Sequence, residues 1–333
     1  MTDATAAGGT KPSRQVLLAQ FLLPIALVVM FLGFVVVEPT VASPGNINNI
    51  LTQASYLFIF SCAQMVVIIT RGFDLSIGTN VSAVSVLVAL VMTGLLGPEG
   101  QGLFWAILLG ILTGLAFGAL VGLFNGVVVA WLRVNPFVTT LGSLNICLGV
   151  ATMASDGRPV FNVPRPFSEI AYSGSVLGID LPIIYAAAVG LLIFFMLRHT
   201  VLGRSLYILG SNPRAAEVAG LPSRRYLTLA YIIAGVLAAV GAMLLTARTG
   251  SGEPNLGGGL RLVGESIAAA VIGGVSLRGG VGGVQSAIVG ALFITVLSNG
   301  MNLARVDGYI QIIVLGAVLI AAIFLDRIRA TRL

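Results

Sequence analysis

Long apolar runs separated by short polar punctuation dominate the chain, and that alternation restricts its fold more than any other feature. A hydrocarbon core about 30 Å thick is crossed by about 20 apolar residues of helix. Ten runs approach that measure: Gln15 to Val37, Leu51 to Thr70, Gly78 to Leu96, Leu103 to Leu132, Pro136 to Ala154, Leu181 to Leu197, Tyr226 to Ala247, Ser266 to Val275, Val284 to Leu303 and Gly308 to Leu325. The eighth has the length of a half-helix or re-entrant segment. Only 9% of the 333 residues are charged, where a soluble domain carries roughly 25%. So little charge would leave wide apolar patches on a water-soluble globule. The reading is an all-α polytopic membrane protein with about ten transmembrane helices. The first run exceeds the apolar core of a signal peptide, so it reads as a retained helix, with cleavage near Ala42 as the alternative.

The few charges set an orientation. Lys11 and Arg14 precede the first run, Arg71 and Arg133 follow the second and fourth, and Arg327, Arg329 and Arg332 close the chain. Arg198, Arg204, Arg214, Arg224 and Arg225 crowd between the sixth and seventh runs. Basic residues collect on the cytoplasmic side, which puts both termini and the 198–225 segment there. Glu38, Glu99 and Glu253 mark opposite loops, while Arg158, Arg165, Arg261 and Arg305 depart from the rule. The organisation is a tail over 1–14, a membrane domain over 15–327 and a tail over 328–333. The net charge of +6 is almost wholly arginine, and no basic, aromatic-interleaved patch points to nucleic acid. Cys62 and Cys147 lie inside apolar runs and read as buried thiols. With one histidine, His199, and no CxxC pair, no metal site is expected.

Asp, Glu, His, Lys and Arg are nearly absent from the runs. Ion-coupled pumps keep such groups at membrane depth, and here only Asp74 and Glu265 approach it, each at a run's end. Neutral polar residues are abundant instead: Ser61, Gln64, Asn80, Ser82, Ser85, Asn125, Thr139, Thr140, Ser143, Asn145 and Thr152. They suit a pathway for an uncharged, hydroxyl-rich solute, and equally suit bonding between neighbouring helices. The pathway candidates are Asp74 and Ser76 near one mouth, then Asn135, Phe137, Thr139, Thr140 and Asn145, with Glu265. Phe137 reads either as a stacking surface for a sugar or as an interfacial anchor. Asp74 reads either as a pathway group or as a cap on the third helix.

Gly110, Gly114, Gly118, Gly122 and Gly126 follow one another at i, i+4, cutting a smooth groove for a neighbouring backbone. Ala230, Ala234, Ala238 and Ala242 make a gentler version in the seventh run. Between the sixth and seventh runs, SNPRAAEVAG (Ser211 to Gly220) spells a capped helix. Asn212 is a preferred N-cap, Pro213 fits the first position and Gly220 suits the left-handed C-terminal position. A simple connector needs no such device, whereas a handle gripped by a soluble partner does. Phe124 to Gly142 also echoes Ser298 to Gly316, five runs later and on the opposite side, as an inverted repeat would. A second likeness, Gly72 to Gly78 with Gly274 to Gly280, falls on one side.

Four stretches resemble the inner-membrane permease subunits of monosaccharide ABC importers of the ribose, xylose and galactose type. GFDLSIGT (Gly72 to Thr79) resembles that family's Gly-Ile-Asp-Leu-Ser-Val-Gly signature, and VNPFVTTLG (Val134 to Gly142) its apolar-x-Pro-Phe-Ile-x-Thr-Leu-Gly stretch. LGSNPRAAEVAGL (Leu209 to Leu221) resembles its Gly-x-Asn-x-x-Ala-Ala-x-x-x-Gly loop, and ESIAAAVIGGVSLRGG (Glu265 to Gly280) its Ala-Ile-Ala-Ala-Val-Val-Ile-Gly-Gly-x-Ser-Leu run. The resemblance implies a type II-like importer permease in a bacterial inner membrane, forming its pore with a second copy or a paralogue. It implies a cytoplasmic ATPase subunit, carrying ATP and Mg, docked on the coupling residues Gly210, Asn212, Pro213, Arg214, Ala215, Ala216, Glu217 and Gly220. It implies an external sugar-binding protein at the other mouth. Arg71, where a glycine is commoner, and Glu265, where an Asp often stands nearby, depart from the pattern and leave the solute open: a sugar, polyol, autoinducer sugar or nucleoside.

This chain has no GxxxxGK[ST] loop to hold ATP, and no nucleophile elbow or carboxylate pair, so it is not read as an enzyme. A secondary carrier or channel for neutral solutes is the other reading that the polar runs allow.

Overall fold

A computed structural model describes residues 14–97 and 100–331. Lys11 with the rest of the tail to residue 13, and also Glu99 and Arg332, lie outside the described residues. All ten apolar runs fold as helices: α1 (Arg14–Val37), α2 (Pro44–Ile69), α3 (Ile77–Leu95), α4 (Leu103–Ala130), α5 (Pro136–Ala154), α7 (Leu181–His199), α10 (Ser223–Thr249), α11 (Leu260–Ile272), α12 (Val284–Leu303) and α13 (Gly308–Thr331). Shorter helices α6 (Arg165–Ser168), α8 (Val201–Ser211) and α9 (Pro213–Val218) lie between them. Ser175–Val176 and Ile179–Asp180 pair as a small antiparallel hairpin. Among the described residues, α2, α3, α4, α5, α7, α10 and α12 are long and apolar enough to cross a membrane. The chain is a polytopic, helical membrane protein.

The axial element is α2. Its Ile59, Phe60, Cys62, Met65 and Ile69 are fully buried, enclosed by α7, α10, α11 and α12. Outward faces carry exposed apolar groups, such as Leu112 and Leu120 on α4, Leu191 and Phe195 on α7, and Ile313 and Ile320 on α13. Facing hydrocarbon, those side chains need no protein cover.

The glycine groove is occupied over its whole length. A Cβ at Gly110 would meet the Met92 side chain at 2.6 Å and one at Gly114 would meet Val88 at 2.8 Å, both on α3. At Gly118, Gly122 and Gly126 it would strike the backbone of α10 at Gly235, Tyr231 and Thr228. Gly235 is reciprocally closed by Gly118, and Ala230, Ala234, Ala238 and Ala242 are fully buried. The α4 and α10 backbones therefore touch directly, gaining dispersion contacts that any side chain would forbid.

Three differences from the sequence reading stand out. The 198–225 segment is not a loop with one short helix: α7 runs through His199, and α8 follows with a Thr200 cap accepting from Gly203 N at 3.2 Å. The eighth run begins at Leu260 and ends at Ile272. Ahead of it, the chain from Ser251 to Gly259 is irregular and returns along α3 rather than looping outside. Gly252 pairs with Val160 through two hydrogen bonds of 2.8 Å. Glu253 N donates to Ser85 Oγ at 3.1 Å and Gly257 N to Ser82 Oγ at 3.1 Å. A Cβ at Gly78 would collide with the Gly259 carbonyl. The order 252, 257, 259 against Ser85, Ser82 and Gly78 fixes an antiparallel path beside the first half of α3.

The echoing segments share one local design. Arg133 and Arg305 both take positive φ, 58° and 55°, where a helix ends and the next begins. Two residues on, Asn135 accepts from Phe137 N at 2.8 Å and Asp307 from Tyr309 N at 2.8 Å. The first turn lies beyond the C-terminal end of α2, with Arg71. The second adjoins the other end, where Asn46 and Asn299 exchange two amide hydrogen bonds of 2.9 Å. The Gly72 and Gly274 segments share an end and meet, Gly280 N donating to Ile69 O at 2.8 Å.

Candidate functional site

The handle α9 is fixed at both ends. Asn212 Oδ1 accepts from Ala215 N at 3.0 Å, and Pro213 opens the first turn. At the other end Gly220 adopts φ 71°, and its N–H donates to Glu217 O at 3.0 Å while Leu221 N donates to Ala216 O at 3.0 Å. That pair of bonds is a Schellman closure, which requires the left-handed conformation glycine adopts without strain. Ala216 alone in α9 is buried; Arg214, Ala215, Glu217 and Val218 are exposed, Val218 at 90%. The helix is thus pinned by one methyl group and otherwise stands clear of the bundle.

Its base is clamped to the transmembrane core. Arg71, in the left-handed region at φ 66°, donates from Nε to Gly210 O at 2.5 Å and from Nη2 to Ser211 O at 2.9 Å. A Cβ at Gly210 would collide with the Ile69 carbonyl, and Tyr207 of α8 donates to Gly282 O at 2.7 Å. The sequence reading treated Arg71 as one of the charges that set the orientation and as a departure from a family glycine. Its role as a strut to the C-terminal carbonyls of α8 depends on a partner 139 residues away, which no local signal announces.

From that strut the turn into α3 leads to a buried polar chain. Asp74 Oδ1 accepts from Ser76 N at 2.9 Å and Ser76 Oγ at 2.5 Å. Asn125 of α4 donates to Ser76 Oγ at 2.9 Å, and Ser143 of α5 donates to Asn125 Oδ1 at 2.6 Å. Gln64 of α2 donates to the Asp74 carbonyl at 2.7 Å. Asp74 and Ser76 are each 1% exposed, so they stand in the packed interior of the single chain and not at an open mouth. Burial pushes the Asp74 carboxyl up, against the Ser76 hydrogen bonds that pull it down. One network ties α2, α3, α4 and α5 together.

The other pathway candidates divide. Asn135, Phe137 and Asn145 are exposed on α5, Asn135 capping the helix and Asn145 donating back to Leu141 O at 2.9 Å. Thr139 and Thr140 are buried and bond the preceding turn. Nothing lies within 4 Å of a Cβ at Gly142 or Gly149, so the outward face of α5 is open and partly polar. Glu265 stands apart on α11 in an ion pair with Arg261 at 3.0 Å. The Ser61 hydroxyl and the amide oxygens of Gln64 and Asn80 are buried without a hydrogen-bond partner among the described residues. Among the described residues no group of three His, Cys, Asp or Glu side chains is arranged to hold a metal ion.

Residues 46–323 match the family model described as branched-chain amino acid transport system, permease component. The ribose import permease protein of Escherichia coli is 33% identical over 332 residues, 98% of this chain and 99% of that protein. The galactose/methyl galactoside import permease protein of Haemophilus influenzae is 35% identical over 316 residues, covering 91% and 93%. The D-allose transport system permease protein of Escherichia coli is 33% identical over 284 residues, covering 85% and 84%. No solved structure matches the chain. With a helical bundle that spans the membrane and a match over most of its length, the chain belongs to this family of transport-system permease components.

Proposed function

We propose that the chain is the membrane subunit of an ATP-driven, binding-protein-dependent importer for a neutral sugar or related polyol. The observation that carries the reading is α9: a doubly capped helix, exposed except for Ala216 and clamped through α8 and Arg71 to the core. The sugars named for the relatives support the solute class, and the seven helices long enough to cross a membrane, whose Arg and His residues are confined to terminal turns, support an uncharged one. A cytoplasmic ATPase, holding ATP and Mg, grips Asn212 to Gly220. Drawing its two lobes together moves α9, and α8 relays the shift through Arg71 to the Asp74, Ser76, Asn125 and Ser143 chain and so to α5. A second copy or paralogue meets the open face of α5, where Asn135, Phe137 and Asn145 contact solute. An external binding protein delivers it.

The arginine-rich end with α9 is cytoplasmic in this reading, in a bacterial inner membrane. Asp326 of α13 accepts from Leu277 N at 3.1 Å beside that end, which supports a cytoplasmic C-terminus. Ten crossings and an inverted repeat are supported by the ten helical runs and by the matching turns at Arg133 and Arg305. The test is reconstitution with the cognate ATPase and binding protein in liposomes. Sugar uptake should require ATP, and Gly220→Ala should abolish it while the binding protein's affinity for sugar stays unchanged. Uptake that ignores ATP and follows a proton or sodium gradient identifies a secondary carrier and overturns the proposal.

A further inference from the structure

An open cavity of about 730 Å³ lies between α9 and the ends of α2, α4 and α10. Arg71, Arg133, Arg224 and Arg225 line it, with Glu217 as the lone acid. The guanidinium of Arg224 sits 5.5 Å above the Trp131 ring, and Arg71 is held by the carbonyls described above. The side chains of Arg133 and Arg225 have no hydrogen bond or ion pair among the described residues. Four guanidinium groups thus surround one concavity with too little acid inside the chain to balance them.

The apolar part of the same wall says which anion fits. Trp131 in that wall and its neighbour Leu132 are 48% and 67% exposed, and an indole favours the boundary between headgroups and hydrocarbon. Val127 on α4 and Leu229 on α10 continue an exposed apolar surface away from the cavity. A small soluble anion makes no use of that surface, whereas a phosphodiester carrying acyl chains uses both parts. Guanidinium forks match phosphate oxygens, and basic pockets between membrane helices hold acidic headgroups.

We propose that this cavity binds an anionic phospholipid, its phosphate against Arg133, Arg224 and Arg225 and its chains along α4 and α10. The lipid fills the gap beneath α9 and braces it against the bundle.

The test counts lipids retained by the purified full chain, by native mass spectrometry, after equilibration with equal phosphatidylglycerol and phosphatidylcholine. The wild type retains phosphatidylglycerol preferentially, and Arg133→Gln, Arg224→Gln and Arg225→Gln each lower that preference about fivefold. Arg305→Gln, on the opposite end, leaves it unchanged. Because the Arg225 side chain has no partner to lose among the described residues, its variant stays informative if Arg224→Gln, which loses the Trp131 contact, does not fold. Equal retention by wild type and variants overturns the proposal. So does displacement by excess inorganic phosphate, which marks a free-anion site. No lipid preference, combined with loss of a coexpressed ATPase from the variants, assigns the arginines to a protein contact and also overturns it.

Discussion

Replacing Gly122 by alanine tests whether α4 and α10 touch backbone to backbone. The new methyl would collide with the Tyr231 carbonyl and stand 2.7 Å from Ile232 Cα, well inside the 3.5–4.0 Å optimum for carbon atoms. Neither obstacle is a side chain that can rotate away, so the helices must separate by about 1 Å, which forfeits roughly a quarter to a half of each nearby dispersion contact. Overpacking costs about 1–3 kcal/mol, and backbone obstruction puts this site near 3. Alanine returns about 1 kcal/mol in helix propensity over glycine, leaving a net loss of about 2 kcal/mol. The buried thiols Cys62 and Cys147 make thiol-reactive dye uptake on heating a direct assay of unfolding. Gly122→Ala should melt several degrees below wild type, while Gly149→Ala, with open space around it, should melt at or above it when the chain is tested alone in detergent. Equal melting of wild type and Gly122→Ala, or an equal fall in both variants, refutes the reasoning.

Asp74→Ala should lose about 1–3 kcal/mol by orphaning the Ser76 donors, whereas Asp74→Asn keeps an acceptor and loses much less; thermal melting separates them. Because the folded carboxyl titrates above its ordinary range, ionisation opposes folding. Wild-type stability should therefore fall as pH rises from the ordinary carboxylate range toward the raised value, and Asp74→Asn should flatten that fall. Asn46→Ala and Asn299→Ala should show a coupling of about 0.5–3 kcal/mol in a double-mutant cycle, and additivity would remove the reciprocal amide pair. Ser85→Ala should destabilise the chain by about 1–3 kcal/mol, since Ser85 Oγ accepts from both Thr246 Oγ1 at 2.7 Å and Glu253 N; unchanged melting would argue that the irregular segment does not rest on α3.

Hydropathy locates helices because lipid imposes one solution on every apolar run, and Pro136–Ala154 and Val284–Leu303 match their runs end to end. The i, i+4 glycines announce a groove, but they do not say that Met92 and Val88 of the preceding helix fill one part while Thr228, Tyr231 and Gly235, far along the chain on α10, fill the rest. The caps on α9 are legible because Asn212, Pro213 and Gly220 act within one turn. Of the two readings of Asp74, the bond from Ser76 N at the start of α3 is local and legible, whereas its burial is not, because the chain through Asn125 and Ser143 comes from two other helices. Ser251 to Gly259 misleads most, since its glycines, proline and asparagine have loop composition. What holds it is a pair of serines on a helix that precedes it by about 170 residues.

That irregular stretch limits what can surround the protein. Hydrocarbon accepts only backbone whose polar groups are satisfied within the element, and a run of turns bonded in part to serine side chains of α3 does not meet that condition. Yet it lies beside Ser82 and Ser85, inside a helix long enough to cross the bilayer, and Asn255 and Gly258 are exposed on its outer side. Acyl chains cannot be the medium there. The side of the molecule bearing residues 251–259 must be wetted or sheathed by polypeptide, so the lipid-facing perimeter of a single chain is incomplete and its annulus of bound lipid must have a gap at that point.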